Sequence, residues 1–361
     1  MLANRIVKSR IVRRQPILAM LVRVGILCLG VSMAVAQQAQ DELTSDYFLD
    51  RPDSTKYAVI MTGPSVGEET TATFRQWAFS LHDILARDYG YSSDTITLLL
   101  DRGGQGEPGS ERIDGACDLA GIQQGLAAVQ SQVKSGDQIS IFLIGHGSGV
   151  DEEAKFNIVG PDITGGEFAD MLDAFSEQDI VIINSTSASY GFSTSLSDEG
   201  RVVISATRSP TEKYDPVFSR YFIEALDSRN GDYDKNNRVS MLEAFNYAKS
   251  SVEQWYEEQG RLASEHAGLD DNGDALFTLS PTVDEADGRI AEIAYIDTLL
   301  INDENLSEEA IELKSQMQEL ERSVFILRGS KADFLEADYW QQMEELLVDL
   351  ARTTGRFNET K

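Results

Sequence analysis

Short apolar runs alternate with amphipathic segments through most of the chain. Five short runs are mainly apolar and are bounded by turn residues: 56–61, 95–100, 138–144, 180–183 and 201–205. This pattern is typical of strands that are buried on both faces. The segments between them repeat their apolar residues every three or four positions, which predicts helices with one buried face. This alternation predicts an α/β fold in which helices cover both faces of a mostly parallel sheet.

The pattern changes after residue 280 to charged, helix-forming sequence. Two or three helices are predicted, near 285–300, 307–327 and 339–351. We interpret 281–361 as a helical hairpin or short coiled coil that packs on the α/β domain or on a partner. Residues 56–280 then form the α/β domain, and the polar segment 37–55 reads as a linker.

The first 36 residues carry six Lys or Arg residues and no acid, followed by an apolar stretch that ends in Ala-Val-Ala. These features are typical of a secretory signal peptide, with cleavage before Gln37. We therefore expect an exported protein, periplasmic or extracellular. An uncleaved anchor helix is the alternative, although the apolar stretch is short for a membrane span. Met20 begins a second possible signal of the same kind.

The 361-residue chain is strongly acidic, with a net charge of −29, and loss of the basic leader would make this −35. Such a charge argues against nucleic acid as a partner, because binding there depends on neutralising phosphates with Lys and Arg. Cys117 would be the one cysteine of the mature chain, and a single cysteine cannot form an internal disulfide.

Two helix starts are marked by capping residues. Thr164 and Glu167 form a capping-box pattern that predicts a helix through Phe175. Asp215 followed by Pro216 predicts an N-cap with proline at the first helical position.

Two of the predicted strands end in residues capable of chemistry. The run at 138–144 stops at Gly-His-Gly, which contains His146 and Gly147. The run at 180–183 leads into Asn-Ser-Thr-Ser-Ala-Ser, which contains Thr186 and Ser187. Parallel strands place their carboxyl ends at one edge, where open α/β sheets bind ligands. These four residues therefore form the candidate site.

This order of motifs resembles that of the caspase-fold cysteine peptidases, in particular the legumain-like and bacterial caspase-like members. In that family the first strand ends in the catalytic His and a Gly, which match His146 and Gly147. The second ends in an acid or Asn, a small residue and the nucleophilic Cys. The separation of 40 residues between His146 and Thr186 is near the value of about 50 quoted for caspases. The resemblance implies a caspase-like three-layer sandwich.

The chain departs from this family at the nucleophile, because Thr186 stands where the resemblance places Cys. A thiol beside a His loses its proton readily, whereas a Thr hydroxyl is far less acidic. We therefore expect a non-catalytic module that binds a peptide or protein partner. The alternative is a hydrolase in which His146 activates a Ser or Thr hydroxyl within 186–189. The hydroxyls could instead simply cap the strand and the following turn.

Residues 232–243 follow the ligand pattern of an EF-hand calcium loop. The six ligand positions are occupied by Asp232, Asp234, Asn236, Arg238 (through its carbonyl), Ser240 and Glu243. Asn237 stands where the loop usually has Gly, and Asn tolerates the left-handed conformation needed there. The sequence thus predicts calcium as a cofactor, although a solvated acidic turn would show similar composition.

Overall fold

The computed structural model describes residues 47–49, 51, 54–104, 106, 108–297 and 307–360. Nine strands lie in this part of the chain: β1 (Lys56–Thr62), β2 (Ile96–Leu100), β3 (Gln138–Ile144), β4 (Gly147–Ser148), β5 (Lys155–Phe156), β6 (Ile163–Thr164), β7 (Asp179–Asn184), β8 (Arg201–Ser205) and β9 (Gly268–Asp270). Six form the main sheet in the order β2-β1-β3-β7-β8-β9, and β4, β5 and β6 form a small antiparallel sheet. In the main sheet β9 alone is antiparallel to its neighbour. The prediction of a mostly parallel sheet is confirmed.

Nine α-helices accompany these strands in the described residues: α1 (Glu68–Asp88), α2 (Leu119–Gln130), α3 (Gly165–Leu172), α4 (Tyr190–Thr194), α5 (Phe218–Leu226), α6 (Met241–Glu258), α7 (Arg289–Ile293), α8 (Glu308–Gly329) and α9 (Glu336–Glu359). Alternate strand residues point to opposite faces, so each strand contributes to two cores. Ile60 and Phe142 pack with α1, α5 and α6 on one face. Met61 and Leu143 pack with α2 and α3 on the other. Helices therefore cover both faces.

The register of the parallel strands fixes the position of the candidate site. Leu143 of β3 pairs with Asn184 of β7, and Thr62 of β1 pairs with Ile144. Ser205 of β8 also pairs with Asn184. The segments that follow β1, β3, β7 and β8 consequently leave the sheet at the same edge.

Helices α8 and α9 form an antiparallel hairpin, which confirms helical structure at the C-terminus. Residues 330–335 connect them, and the first part of α8 packs against the end of α9 through Leu313, Met317 and Phe357. Near the connection, Val324 packs with Tyr339. Phe325, on another face of α8, belongs to the core of the α/β domain.

The structure confirms one predicted helix start and corrects the other. Thr164 and Glu167 make both hydrogen bonds of a capping box, as predicted. Asp215 does not cap α5, which begins at Phe218 with Val217 as its N-cap. The free N–H groups of Val217 and Phe218 are instead satisfied by the carboxylate of Glu265. A carboxylate distant in sequence thus replaces the local cap, because it meets the same need for acceptors at a helix N-terminus.

The predicted signal peptide at 1–36 and most of the linker at 37–55 lie outside the described residues. Among the residues that the structure describes, no helix has both the length and the apolar character needed to cross a bilayer.

Candidate active site

His146 lies directly beyond β3, at the edge where the parallel strands end. Its Nδ1 is 2.9 Å from Oδ1 of Asp215, and its side chain is 27 % exposed. The Phe74 ring of α1 contacts the imidazole at a tilt, with 5.3 Å between ring centroids and 59° between the ring planes. Since Asp215 engages Nδ1 and Phe74 contacts the ring, the imidazole has a defined orientation. Within the residues that the structure describes, no hydrogen bond is made to its Nε2.

The two predicted strand ends come together at Gly147. Its backbone N–H donates a hydrogen bond to Oγ of Ser187 at 3.3 Å. A Cβ at this position would lie 2.3 Å from the carbonyl oxygen of Ser187 and 3.0 Å from Oγ1 of Thr186. Glycine is therefore required sterically, because a methyl group would separate the strand ends.

The hydroxyls that follow β7 are buried and bonded to their immediate surroundings. Thr186, 1 % exposed, donates from Oγ1 to the Asn184 side chain at 2.8 Å. Ser185 donates to the carbonyl of Leu143, and Ser189 shares hydrogen bonds with Ser205 and Thr207. In the described part of the chain, no hydrogen bond joins the His146 ring to any hydroxyl of 185–189. The hydroxyls thus satisfy buried polar groups where the strands end.

Asp215 is the site residue that sequence reasoning assigned to a different role. It stands 69 residues after His146, in the segment between β8 and α5. The Asp-Pro dipeptide is a strong local signal for a helix cap. The sequence therefore predicted a capping role for Asp215 and not its contact with His146. No sequence pattern near His146 indicates which acid orients its imidazole, because the tertiary fold brings Asp215 to it.

Cys117 is not available to act as a substitute nucleophile. It is completely buried, and burial raises the pKa of its thiol far above the ordinary value. The reactive form of cysteine is the thiolate, so this residue is inert in the folded protein.

Three of the predicted metal ligands converge in the loop between α5 and α6. One carboxylate oxygen from each of Asp232, Asp234 and Glu243 lies within 4.8 Å of the others. Asp232 is 7 % exposed, and its buried Oδ1 has no hydrogen-bond partner in the described part of the chain. Burial raises the pKa of Glu243 to about 7, and burial together with Asp234 raises the pKa of Asp232. Lys235 opposes the rise in the pKa of Asp232, but burial is the larger effect.

The other predicted ligands make contacts within the loop. The Asn236 side chain accepts the Arg238 N–H at 2.8 Å. Ser240 caps α6 and bonds reciprocally to Glu243. Asn237 adopts the left-handed conformation, with φ of 69°. The departure from Gly at this position is therefore compatible with the turn.

The loop is also joined to the C-terminal region. Val239 and Ile296 form a backbone hydrogen bond, and Ser240 bridges to Tyr295 in antiparallel fashion. Arg238 is buried, stacks 3.6 Å above the Tyr295 ring and pairs with Glu321 of α8 at 3.3 Å. The loop therefore has a fixed position between α6 and α8.

Comparisons with known proteins identify no relative by sequence. No protein-family model matches the chain, and no curated protein matches it. Among solved structures, protein GSU0716 from Geobacter sulfurreducens is similar at a TM-score of 0.38 and 10 % identity, over 60 % of this chain and 92 % of that one. A similarity at this level leaves the function to be argued from the residues.

Proposed function

We propose that this protein is an exported, caspase-like module that has lost peptidase activity and binds a peptide or protein partner at the edge carrying His146. The observation that carries the proposal is the environment of Thr186. Its hydroxyl is buried and donates a hydrogen bond to the side-chain oxygen of Asn184. The position that the resemblance assigns to the nucleophile is thus occupied by a structural hydroxyl.

The contacts of His146 support a role in binding a partner, and not only a structural role in the turn after β3. Asp215 is 44 % exposed in its side chain, and with His146 it presents an acid and an imidazole at the surface of the sheet edge. Such a pair can accept and donate hydrogen bonds to an extended peptide, and the buried Phe74 ring supports the imidazole from the core side. The acidic turn Asp151–Glu153 follows closely after β4, so a basic partner is favoured electrostatically.

The proposal can be tested with a peptide library and the mature protein. Peptides that are captured should be recovered with unchanged mass, and capture should fall in the His146→Ala and Asp215→Asn variants. His82→Ala is the matched control, because His82 lies on α1 and its ring contacts Asp83. Equal capture by all four proteins would exclude this edge as the binding surface.

A hydrolase is the second candidate, and the His146–Asp215 pair favours it. An acid on Nδ1 holds an imidazole so that Nε2 can act as a general base, as in Ser-His-Asp triads. Ser187 is the hydroxyl to examine first, because its Oγ already contacts Gly147 beside the imidazole. Activity that persists in Thr186→Val and disappears in Ser187→Ala would support this candidate. Activity that survives Ser187→Ala would argue against Ser187 as the nucleophile, and absence of activity in the natural protein would argue against a hydrolase.

We also propose calcium as the cofactor of loop 232–243. The residues fit a cation, since a buried Asp232 oxygen without a partner lies in a cluster of three carboxylates. Calcium prefers six to eight oxygen ligands, which carboxylate and carbonyl groups of the loop could supply. Ligands that bind only the folded state raise its stability by mass action.

Calcium should therefore raise the melting temperature of the mature protein, and Glu243→Gln should reduce that increase. Asp274→Asn is the matched control, because Asp274 lies in a second acidic turn outside the cluster. A melting temperature that is the same with millimolar calcium and with chelator would rule out the site. An equal response to magnesium would show a cation site without calcium preference.

A further inference from the structure

A second cavity lies apart from the His146 site, between α6, the start of α5 and the segment that precedes β9. Its volume is about 290 Å³, close to the lower end of ligand pockets, which occupy about 300–1,000 Å³. Five apolar residues line it: Phe218, Val252, Ala263, Ala267 and Leu279. The cavity can therefore hold a small ligand with an apolar body.

One buried carboxylate, that of Glu265, forms part of the wall. Glu265 is 3 % exposed. Its Oε1 accepts hydrogen bonds from the Val217 N–H and the Tyr256 hydroxyl, and its Oε2 accepts one from the Phe218 N–H at 3.1 Å. A carboxylate oxygen can accept two hydrogen bonds, so Oε2 can take another donor. Burial raises the pKa of Glu265 to about 7, and a cationic ligand would offset the cost of its charge.

The polar groups near the cavity favour a cation over an anion. Lys249, the ammonium in the lining, is already bonded to Glu253 at 2.6 Å. The Nδ1 of His266 is bonded to Glu212, also at 2.6 Å. An anionic ligand would have to displace these pairs, whereas a protonated amine would meet the Glu265 carboxylate directly.

We infer that this cavity binds a small primary amine with an apolar body, its ammonium on Glu265 and its body against Phe218 and Val252. The site is distinct from the peptide-binding edge, because His146 and Asp215 do not belong to its lining. An apolar cavity with one buried carboxylate provides the two elements that such a ligand needs: surface to exclude water and a charge to pair with.

The test compares three probes of one chain length, n-hexylamine, n-hexanol and n-hexanoate, by calorimetric titration of the mature protein at pH 8. Hexylamine should bind at least about tenfold more tightly than hexanol, because a charge-assisted hydrogen bond exceeds a neutral one. Hexanoate should bind least. Glu265→Gln should weaken hexylamine binding by about tenfold or more and leave hexanol nearly unchanged.

Two further variants keep the inference falsifiable if Glu265→Gln fails to fold. Val252→Phe fills the cavity without touching the cap of α5, and it should abolish binding of all three probes. Glu253→Gln neutralises the second acid of the lining, which is paired with Lys249, and hexylamine should still bind more tightly than hexanol. Equal affinity for hexylamine and hexanol, unchanged binding in Val252→Phe, or no binding of any probe would overturn the inference.

Discussion

The contact between Arg238 and Glu321 offers a quantitative test of how loop 232–243 is held against α8. The two side chains are 5 % and 8 % exposed. The guanidinium also lies over the Tyr295 ring at 3.6 Å. We expect Arg238→Met to destabilise the folded protein, because methionine fills similar space but leaves a carboxylate buried without this partner.

Loss of one member of a buried ion pair costs about 3–5 kcal/mol. We expect about 3 kcal/mol for Arg238→Met, near the lower limit, because Glu321 takes part in other interactions as well. Glu321→Leu should cost a similar amount, since it leaves the guanidinium buried. The double variant should be no less stable than either single variant, because replacing a whole buried pair by apolar residues is often close to neutral.

The free energy of unfolding can be measured by urea denaturation of residues 37–361, followed by tryptophan fluorescence. Arg352→Met is the control in the same hairpin, because Arg352 and Asp349 form an exposed pair, at 73 % and 61 % exposure. Exposed pairs contribute about 1 kcal/mol or less. A loss below about 1 kcal/mol in Arg238→Met, or costs that simply add in the double variant, would refute the reasoning.

Three further predictions concern packing, pH and cysteine chemistry. Gly147→Ala should lower the urea midpoint clearly, because the new methyl group would meet the Ser187 carbonyl at 2.3 Å, while Gly166→Ala, with open space at its Cβ, should not. Burial raises the pKa of Asp271 from 3.8 to about 7, so its contribution to stability is complete below pH 3.8 and lost as the pH rises through 7. The protein should therefore be more stable at pH 5 than at pH 8, and the difference should be smaller in Asp271→Asn. Cys117 should react with iodoacetamide only after unfolding, and rapid reaction of the folded protein would contradict its complete burial.

The layered fold could be predicted because its signals are local and repeated. Each buried strand is a short apolar run, and each helix shows one apolar face, so the order of elements in residues 56–260 follows from pattern alone. The strands of the small sheet, β4, β5 and β6, have two residues each. A segment of that length has no measurable alternation, and such strands could not be predicted.

The candidate site was predictable only in part. Parallel strands end at one edge, so the meeting of Gly147 with Ser187 follows from the predicted topology. The partner of His146 does not, because Asp215 reaches it through a loop whose path depends on tertiary packing. The same holds for Glu265, which caps α5 from 47 residues away. Local capping rules could not identify either contact.

We propose that His146 keeps the position of a catalytic histidine although Thr186 cannot serve as its nucleophile. The most direct measurement is peptidase activity of the natural sequence from residue 37 onward and of its His146→Ala variant on a broad peptide library, with folding of both verified by circular dichroism. The account predicts no cleavage by either protein, because the Thr186 hydroxyl is buried and bonded to Asn184. Robust cleavage by the natural protein that disappears in folded His146→Ala would contradict it and show that a hydroxyl works with His146.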